Sequence, residues 1–480
     1  MKSLRSIRRL KNAAAQLLSV SVLAYSAHCP AAEWAGWING EGRYYAQTGE
    51  QVEEQVYPSV AAQLEFSHTF NAQDQLTAVL FARGERVDDE GNFADVREFL
   101  WLHSTDAYQF RAGIGQVSWG VNELFKITDL INQKDRAELP YQRKLGQPMM
   151  SFSFYAGEDL VELYALEGLR SAWYPGKDGR LRYPIMVDTD KEEYEWGATG
   201  RLDLAGRWKT TRWNTEFALS HFYGVTRDPY FIFNYDFNHP RMIPVYEKVN
   251  QSSLEMQKVI GDVLMRAEFT YQTGSLEPFK SVAGGFEYTF GSLFDSDLDL
   301  TWYVEGIWDS RKHIYGTLLD HDVGIAARLA LNDERDSNLV LGVIADTKYN
   351  EAFGTVFWSN SFGQSWSLNV TGQYFYANDH RYTPDRFMPF FEKLVQENPA
   401  SPESIDKLLG MIGGVTINKK HYARIVQFIN DLRQQGYWDG IKTETVPQTL
   451  FDLLRISDNS QKMNLIERGS NIQIDIYYHF

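Results

Sequence analysis

Residues 471 to 480 alternate without a break. Ile472, Ile474, Ile476, Tyr478 and Phe480 fall on one face of an extended segment, and Asn471, Gln473, Asp475, Tyr477 and His479 fall on the other. Side chains along a strand point to opposite faces in turn, so this pattern makes one apolar surface and one polar surface. A tilted strand of about ten residues also has the length that crosses a bilayer. Two environments suit it: the edge of a soluble sheet, or a wall with lipid on one side and water on the other. The same period recurs upstream. Residues 194 to 203 place Tyr194, Trp196 and Leu202 opposite Glu193, Glu195 and Asp203. In residues 213 to 221, Trp213, Phe217 and Leu219 oppose Asn214 and Glu216, and in residues 300 to 308, Leu300, Trp302, Val304 and Trp308 oppose Thr301, Tyr303 and Glu305.

Short turns such as Asn71-Ala72-Gln73-Asp74, Thr105-Asp106-Ala107 and Asn332-Asp333-Glu334-Arg335 separate some of these segments, and longer polar stretches such as 176 to 190 separate others. Short turns on one side and long loops on the other fit an antiparallel up-and-down barrel. Counting strand-like segments, among them 191–205, 208–224, 229–237 and 254–273, gives about eighteen. The expectation is an all-β transmembrane barrel with an even strand number from about 14 to 18. A terminal aromatic with apolar residues at every second position before it resembles the signal read by the outer-membrane barrel assembly machinery. That signal comprises Ile472, Ile474, Ile476, Tyr478 and Phe480.

The other end of the chain agrees. Lys2, Arg5, Arg8, Arg9 and Lys11 precede a small and apolar run from Ala13 to Ala27, which is the layout of a secretory signal peptide. With 1–32 as a cleaved signal, 33–480 forms one barrel. Removing those five basic residues turns 47 basic against 63 acidic into 42 against 63, a net charge of −21. Cys29, the single cysteine, leaves with the peptide, so neither a disulfide framework nor a thiolate metal site is expected. Nucleic acid is a poor partner for so acidic a chain. The acidity favours cationic or neutral solutes over anions. After the signal no apolar run is long enough for a membrane helix, whereas alternating strands escape that test. An aromatic share of 14% suits the girdles of a barrel at its two interfaces.

Alternation stops after Gln116. Leu124, Ile127, Leu130 and Ile131 then fall at helix-like spacing, amid charges of both signs. Here the chain resembles a porin-like family of Gram-negative outer-membrane barrels akin to the alginate-export type. The likeness lies in Trp119-Gly120, Asp129-Leu130-Ile131-Asn132-Gln133-x-Asp135 and Leu145-Gly146-Gln147-Pro148-Met149. It continues in Gly284-Gly285-Phe286-Glu287-Tyr288-Thr289-Phe290 and Leu329-Ala330-Leu331-Asn332-Asp333. The resemblance implies a barrel with a folded segment inside the lumen, and a role in moving a solute or lipid across the outer membrane. Segment 119–148 is the expected in-turned part. Its candidate constriction residues are Trp119, Glu123, Asp129, Asn132, Asp135, Arg136, Arg143 and Lys144, with Arg136, Arg143 and Lys144 facing Asp129 and Asp135. The alternative is a solvated loop whose charges face water.

Residues 380 to 460 depart from that family pattern. Leu394, Ile405, Leu408, Leu409, Ile412, Ile425, Phe428, Ile429 and Leu432 recur at helical intervals, so a helical insertion before the last strand is expected, at the cell surface or over the barrel mouth. Three functions stay open. The first is a channel or transporter for a polar solute or exported product. The second is a factor for lipid or another apolar molecule, suggested by Tyr230-Phe231-Ile232-Phe233 and Phe387-Met388-Pro389-Phe390-Phe391. The third is a barrel-anchored surface enzyme or binding module. An enzyme is not expected: His68, His103, His221, His239, His313, His321 and His380 stand in no nucleophile or metal motif. Strand histidines are read as lumen-facing polar residues. No cofactor is expected, and the partners expected are outer-membrane lipid and lipopolysaccharide, the assembly machinery and a solute.

Overall fold

The computed structural model describes residues 32–49, 52–137, 143–195, 201–234, 239–274, 278–311, 319–377 and 469–480. The expected signal peptide and the expected 380–460 insertion lie outside the described residues. Among the described residues twenty-one strands run in the order β1 (Ala32–Tyr45), β2 (Val56–Thr69), β3 (Asp74–Glu85), β4 (Phe93–Ser104), β5 (Tyr108–Gly115), β6 (Gln147–Ala156), β7 (Asp159–Glu167), β8 (Glu193–Tyr194), β9 (Leu202–Arg212), β10 (Thr215–Val225), β11 (Tyr230–Phe233), β12 (Met242–Tyr246), β13 (Lys248–Ile260), β14 (Val263–Gly274), β15 (Phe279–Phe290), β16 (Asp299–Asp309), β17 (Asp322–Ala330), β18 (Asn338–Asp346), β19 (Glu351–Phe362), β20 (Trp366–Ala377) and β21 (Asn471–His479). Eighteen of them form one antiparallel sheet, which closes where β1 pairs with β21, Trp37 opposite His479 and Tyr45 opposite Asn471. Closure leaves no unpaired edge, the condition for crossing hydrocarbon with strands.

Which face meets lipid follows from the alternation. On β21, Ile472, Ile474, Ile476 and Tyr478 are exposed on the outer wall, while Asn471 and Asp475 are buried inside. On β16, Trp302 and Trp308 point outward and Glu305 inward. The chain is thus inverted relative to a soluble protein, with apolar side chains outside and carboxylates inside, as a lipid-embedded wall requires. Aromatic pairs gather at the end that carries the short turns, for example Trp34 with Phe66 at 4.6 Å and Trp366 with Tyr478 at 5.0 Å.

Connections at that end span 70–73, 105–107, 157–158, 213–214, 261–262, 291–298, 331–337 and 363–365, and the long ones, including 116–146, 168–201 and 226–247, all lie at the opposite end. Trp213 and Asn214 both have positive φ, 51° and 54°, which makes a tight hairpin turn. The expected strands 191–205 and 208–224 are corrected accordingly: the hairpin turns at Trp213-Asn214, so Trp213 is a turn residue and not part of a strand face. Glu193 and Tyr194 belong to a separate sheet of β8, β11 and β12, and 196–200 lie outside the described residues. The expected barrel strand 229–237 is also corrected, because β11 pairs with β12 in that small sheet, where Tyr230, Ile232, Ile243 and Val245 make a core. Segment 254–273 is in turn two barrel strands, β13 and β14. These two errors cancel, and the barrel has eighteen strands.

The histidine reading also needs correction. His103 shares the outward face with Phe99 and Trp101 and contacts Asp74 at 2.9 Å, His68 packs on Phe70 at 4.5 Å, and His221 meets Ser252 at 2.9 Å on the outside. His68 and His103 stand beside the aromatic belt at the short-turn end, where a polar tip reaches the water interface.

Candidate functional site: a strap across the lumen

Between β5 and β6 the chain turns into the barrel. The segment 116–146, here called the strap, contains no helix among its described residues, 116–137 and 143–146, contrary to the helix-like spacing of Leu124, Ile127, Leu130 and Ile131. Buried backbone must bond to something, and here many of its partners are side chains of the strap and of the barrel wall. Asn132 ties the base together: its Oδ1 accepts from the Val117 amide at 2.8 Å, and its Nδ2 donates to the carbonyls of Gly115 and Leu145 at 3.0 and 2.8 Å. Lys144 Nζ pairs with Asp129 at 2.6 Å and donates to the Val117 carbonyl and Ser118 Oγ at 2.9 and 2.7 Å. Trp119 is buried with its ring edge-on to Tyr164 at 5.8 Å and the Arg207 guanidinium at 5.6 Å from its centroid.

Two wall glutamates hold the far part of the strap. Glu268 on β14 accepts the amides of Val121 and Asn122 at 2.7 and 2.8 Å on Oε1, and those of Ile127 and Thr128 at 2.9 and 3.2 Å on Oε2. Glu305 on β16 accepts the Glu123 amide on Oε1 and the Leu124 and Phe125 amides on Oε2, at 2.8 to 3.1 Å. Seven backbone donors therefore converge on two carboxylates, and bonds to a charged acceptor are the stronger kind. Glu255 on β13 accepts from Thr128 Oγ1 at 3.1 Å and pairs with Arg207. Gly120, at φ 99°, makes this approach possible: a Cβ there would lie 3.0 Å from Glu268 Oε1. The tip, Leu124 and Phe125, rests against Gly324 of β17. From β5 the wall runs β6, β7, β9, β10, β13, β14, β15, β16, β17, so β17 is the ninth strand along in a barrel of eighteen, and the strap spans the lumen.

At the long-loop end the strap joins the mouth loops. Arg136 pairs with Asp228 and donates to the Arg227 carbonyl at 3.1 Å. Arg227 donates to the Ile131 carbonyl at 2.9 Å and to Asp203 at 2.7 Å. Burial alone would raise the Asp228 carboxyl, but Arg136, Lys134 and Arg311 hold it below its ordinary value. Burial raises Asp135, against the Ala137 amide and the guanidinium groups of Arg143, Arg83 and Arg97. The loop 168–201 crosses the mouth to the β1–β4 side: the Arg136 amide bonds the Trp173 carbonyl at 2.8 Å, Gly176 donates to Asp88 at 2.8 Å, and Tyr57 donates to the Asp178 carbonyl at 2.6 Å.

Of the residues singled out in the sequence, Lys144 and Asp129 meet directly. Arg136 instead faces Asp228, Arg143 lies with its guanidinium 5.6 Å from the Phe81 ring, and Glu123 stands 3.5 Å from Arg266. Asn132 and Trp119 act as internal ties. Sequence reasoning missed Glu255, Glu268, Glu305 and Arg207, because a glutamate on the polar face of a strand reads the same whether it meets water or a folded-in backbone. Asp320, Asp322 and Asp346 bring oxygens within 4.8 Å of one another near the mouth, yet Asp322 and Asp346 accept neighbouring backbone amides.

No family model and no curated protein matches the chain. Among solved structures, OmpT, an outer membrane protein of Vibrio cholerae, is 9% identical over 94% of this chain and 99% of its own, with a TM-score of 0.36. Wzi of Escherichia coli, an outer membrane protein involved in group 1 capsule assembly and a carbohydrate-binding β-barrel, is 11% identical over 73% and 81% with a TM-score of 0.44. OccD3 (OpdP) of Pseudomonas aeruginosa is 8% identical over 73% and 87% with a TM-score of 0.43. At such values the assignment rests on the chain's own strands. A closed eighteen-strand wall, apolar outside and charged inside, makes this protein an outer-membrane β-barrel.

Proposed function

We propose that the chain is a strap-gated outer-membrane channel for a polar solute. The observation that carries this reading is the asymmetric filling of the lumen. The strap buries the inward residues of β13 to β16, among them Glu255, Glu268, Thr270 and Glu305. Inward residues on the other side, such as Gln63, Glu65, Asn369, Thr371 and Gln373, stay half-buried and retain water access. A barrel of this size leaves an aqueous passage unless something fills it, and a loop held by wall charges is the usual means of narrowing it. Residues 1–32 would direct export, the terminal strand would engage the assembly machinery, and lipid and lipopolysaccharide would contact the outer belt. No enzymatic role is proposed. The apolar side chains Tyr230 and Ile232 are occupied in the mouth sheet, which removes one argument for an apolar cargo.

Planar-bilayer recording of the purified protein tests the reading. Steady ohmic steps are expected. A silent protein that binds lipid would overturn it in favour of lipid transport.

A further inference from the structure

The lumen wall of such a barrel is expected to be polar, because it faces water. One stripe breaks that expectation. Tyr477 of β21, Trp37 of β1, Phe81 of β3, Phe93 of β4 and Trp173 of the mouth loop form a continuous file. Successive ring centroids are 5.2, 6.0, 5.3 and 5.3 Å apart. All four strand residues point inward: Trp37 shares its face with the buried Asn39 and Glu41, Tyr477 with Asp475, Phe81 with Arg83 and Phe93 with Asp95. The file starts in the half of the wall nearer the short turns and ends at the long-loop mouth. It lies across the lumen from the wall that holds the strap. Tyr477, Trp37, Phe93 and Trp173 remain half-buried, so they face the passage and not a core. Phe81 is buried, with the guanidinium groups of Arg97 and Arg143 at 3.7 and 5.6 Å from its ring. Arg97 reaches it because a β-bulge opposite Val79 and Leu80 lets Arg97 and Glu98 both turn inward.

Hydrogen-bonding groups border the file on its long-loop side. Asn39 donates to Asp475 at 2.9 Å, Arg83 to Glu41 at 2.8 Å, and Arg43 to Gln473 at 2.9 and 2.7 Å. Ring faces flanked by planar polar side chains suit a ligand that has apolar faces and hydroxyl edges, repeated along its length. A pyranose chain has that chemistry: its axial C–H groups stack on aromatic rings while its hydroxyls bond at the edges. An apolar lipid would use the ring faces and none of the polar groups beside them. Beside the first two rings the carboxylates already have partners, Glu41 in Arg83 at 2.8 Å and Asp475 in Asn39 at 2.9 Å, so the border calls for no charge on the ligand.

Resting on the channel reading above, we infer that this file is a binding and guiding track for linear neutral oligosaccharides. The test uses the full-length protein in planar bilayers, with linear α-1,4- and β-1,4-linked neutral hexasaccharides as probes, an oligouronate of equal length, and polyethylene glycol of similar mass. Concentration-dependent interruption of the current by at least one neutral hexasaccharide, and by neither polyethylene glycol nor the oligouronate, is expected. Trp37→Ala and Phe93→Ala should each raise the half-blocking concentration about tenfold, the scale set by losing a stacked ring. Trp37→Phe, which keeps a ring, should restore most of the block and control for misfolding. A silent bilayer overturns the channel reading itself. Conductance that no neutral hexasaccharide blocks, or that polyethylene glycol or the oligouronate blocks equally well, overturns the track and leaves the channel standing.

Discussion

Phe480 shows how much one side chain decides. Its amide and carbonyl exchange hydrogen bonds with Gly36, both at 3.0 Å, at the seam where the barrel closes. A Cβ on Gly36 would lie 2.8 Å from the Phe480 ring, so the missing side chain of one residue seats the ring of the other. Replacing Phe480 with Asp is expected to abolish assembly, because a carboxylate would replace an exposed lipid-facing ring at the membrane boundary. Gly36→Leu is expected to lower the yield. Both are read from heat-modifiable protein in the outer-membrane fraction, and normal amounts of Phe480→Asp would refute the seam argument. The strap glutamates make a second residue-scale prediction. Glu268→Gln and Glu305→Gln each turn a charged acceptor into a neutral amide that also brings a donor facing other donors. The loss is on the order of 2 kcal/mol or more per site, since hydrogen bonds to charged groups are worth about 1.5–3 kcal/mol each. Single-channel conductance should rise in either variant and most in the double variant, and unchanged conductance would show that the strap does not narrow the passage.

The strap as an element carries a titration. The carboxyl of Asp135 is raised by burial, with Arg143, Arg83 and Arg97 opposing. An acid whose folded pKa lies above its unfolded value, about 3.9 for Asp, stabilises the fold below that unfolded value. This contribution is lost as pH rises through the folded pKa. Asp135 therefore favours the docked strap in acid and weakens it toward neutrality. Asp135→Asn keeps the acceptor for the Ala137 amide, which bonds Oδ1 at 3.0 Å, and removes the buried charge. The variant should melt higher than the parent at pH 7 and equal to it near pH 3. Thermal melts across that range check this, and equal melting temperatures throughout would place Asp135 in a more hydrated setting than its burial indicates.

At the scale of the whole molecule, parity of strands fixes where the longest connection emerges. β20 and β21 are antiparallel neighbours, with Trp366 opposite Tyr478 at the end where β1 begins and Gln373 opposite Asn471 toward the other. Residues 378–470 thus leave and rejoin the wall at the long-loop end, opposite the end where β1 begins and β21 finishes. With that latter end in the periplasm, an epitope tag near Gly413 should be detected on intact cells. Replacing 384–456 by a short linker should raise conductance if the insertion lies over the mouth. Detection of the tag only after permeabilisation would reverse the assigned orientation.

Period-two alternation, read alone, determined the class of wall. Ile472 to Phe480 suit a soluble sheet edge as well as a wall between lipid and water, and it was the recurrence of the same period along the chain, with short turns setting the rhythm of the hairpins, that favoured the wall. It also marked the strap, because the alternation failed at Gln116 where charges of both signs gathered. Three things escaped it for the same reason. Local pattern registers which face is polar, but not what that face meets across a lumen. Hence Leu124, Ile127, Leu130 and Ile131 read as a helix, although the backbone around them is bonded to the distant side chains of Glu268 and Glu305. Arg136 read as a partner of the strap acids, yet it meets Asp228 from another loop. Trp37, Phe81 and Phe93 lie on β1, β3 and β4 of one meander, and closure of the barrel between β1 and β21 adds Tyr477 to the file. Contacts between strands so far apart in sequence arise when the sheet curls and closes, so tertiary structure alone decided the strap's anchor and the path beside it.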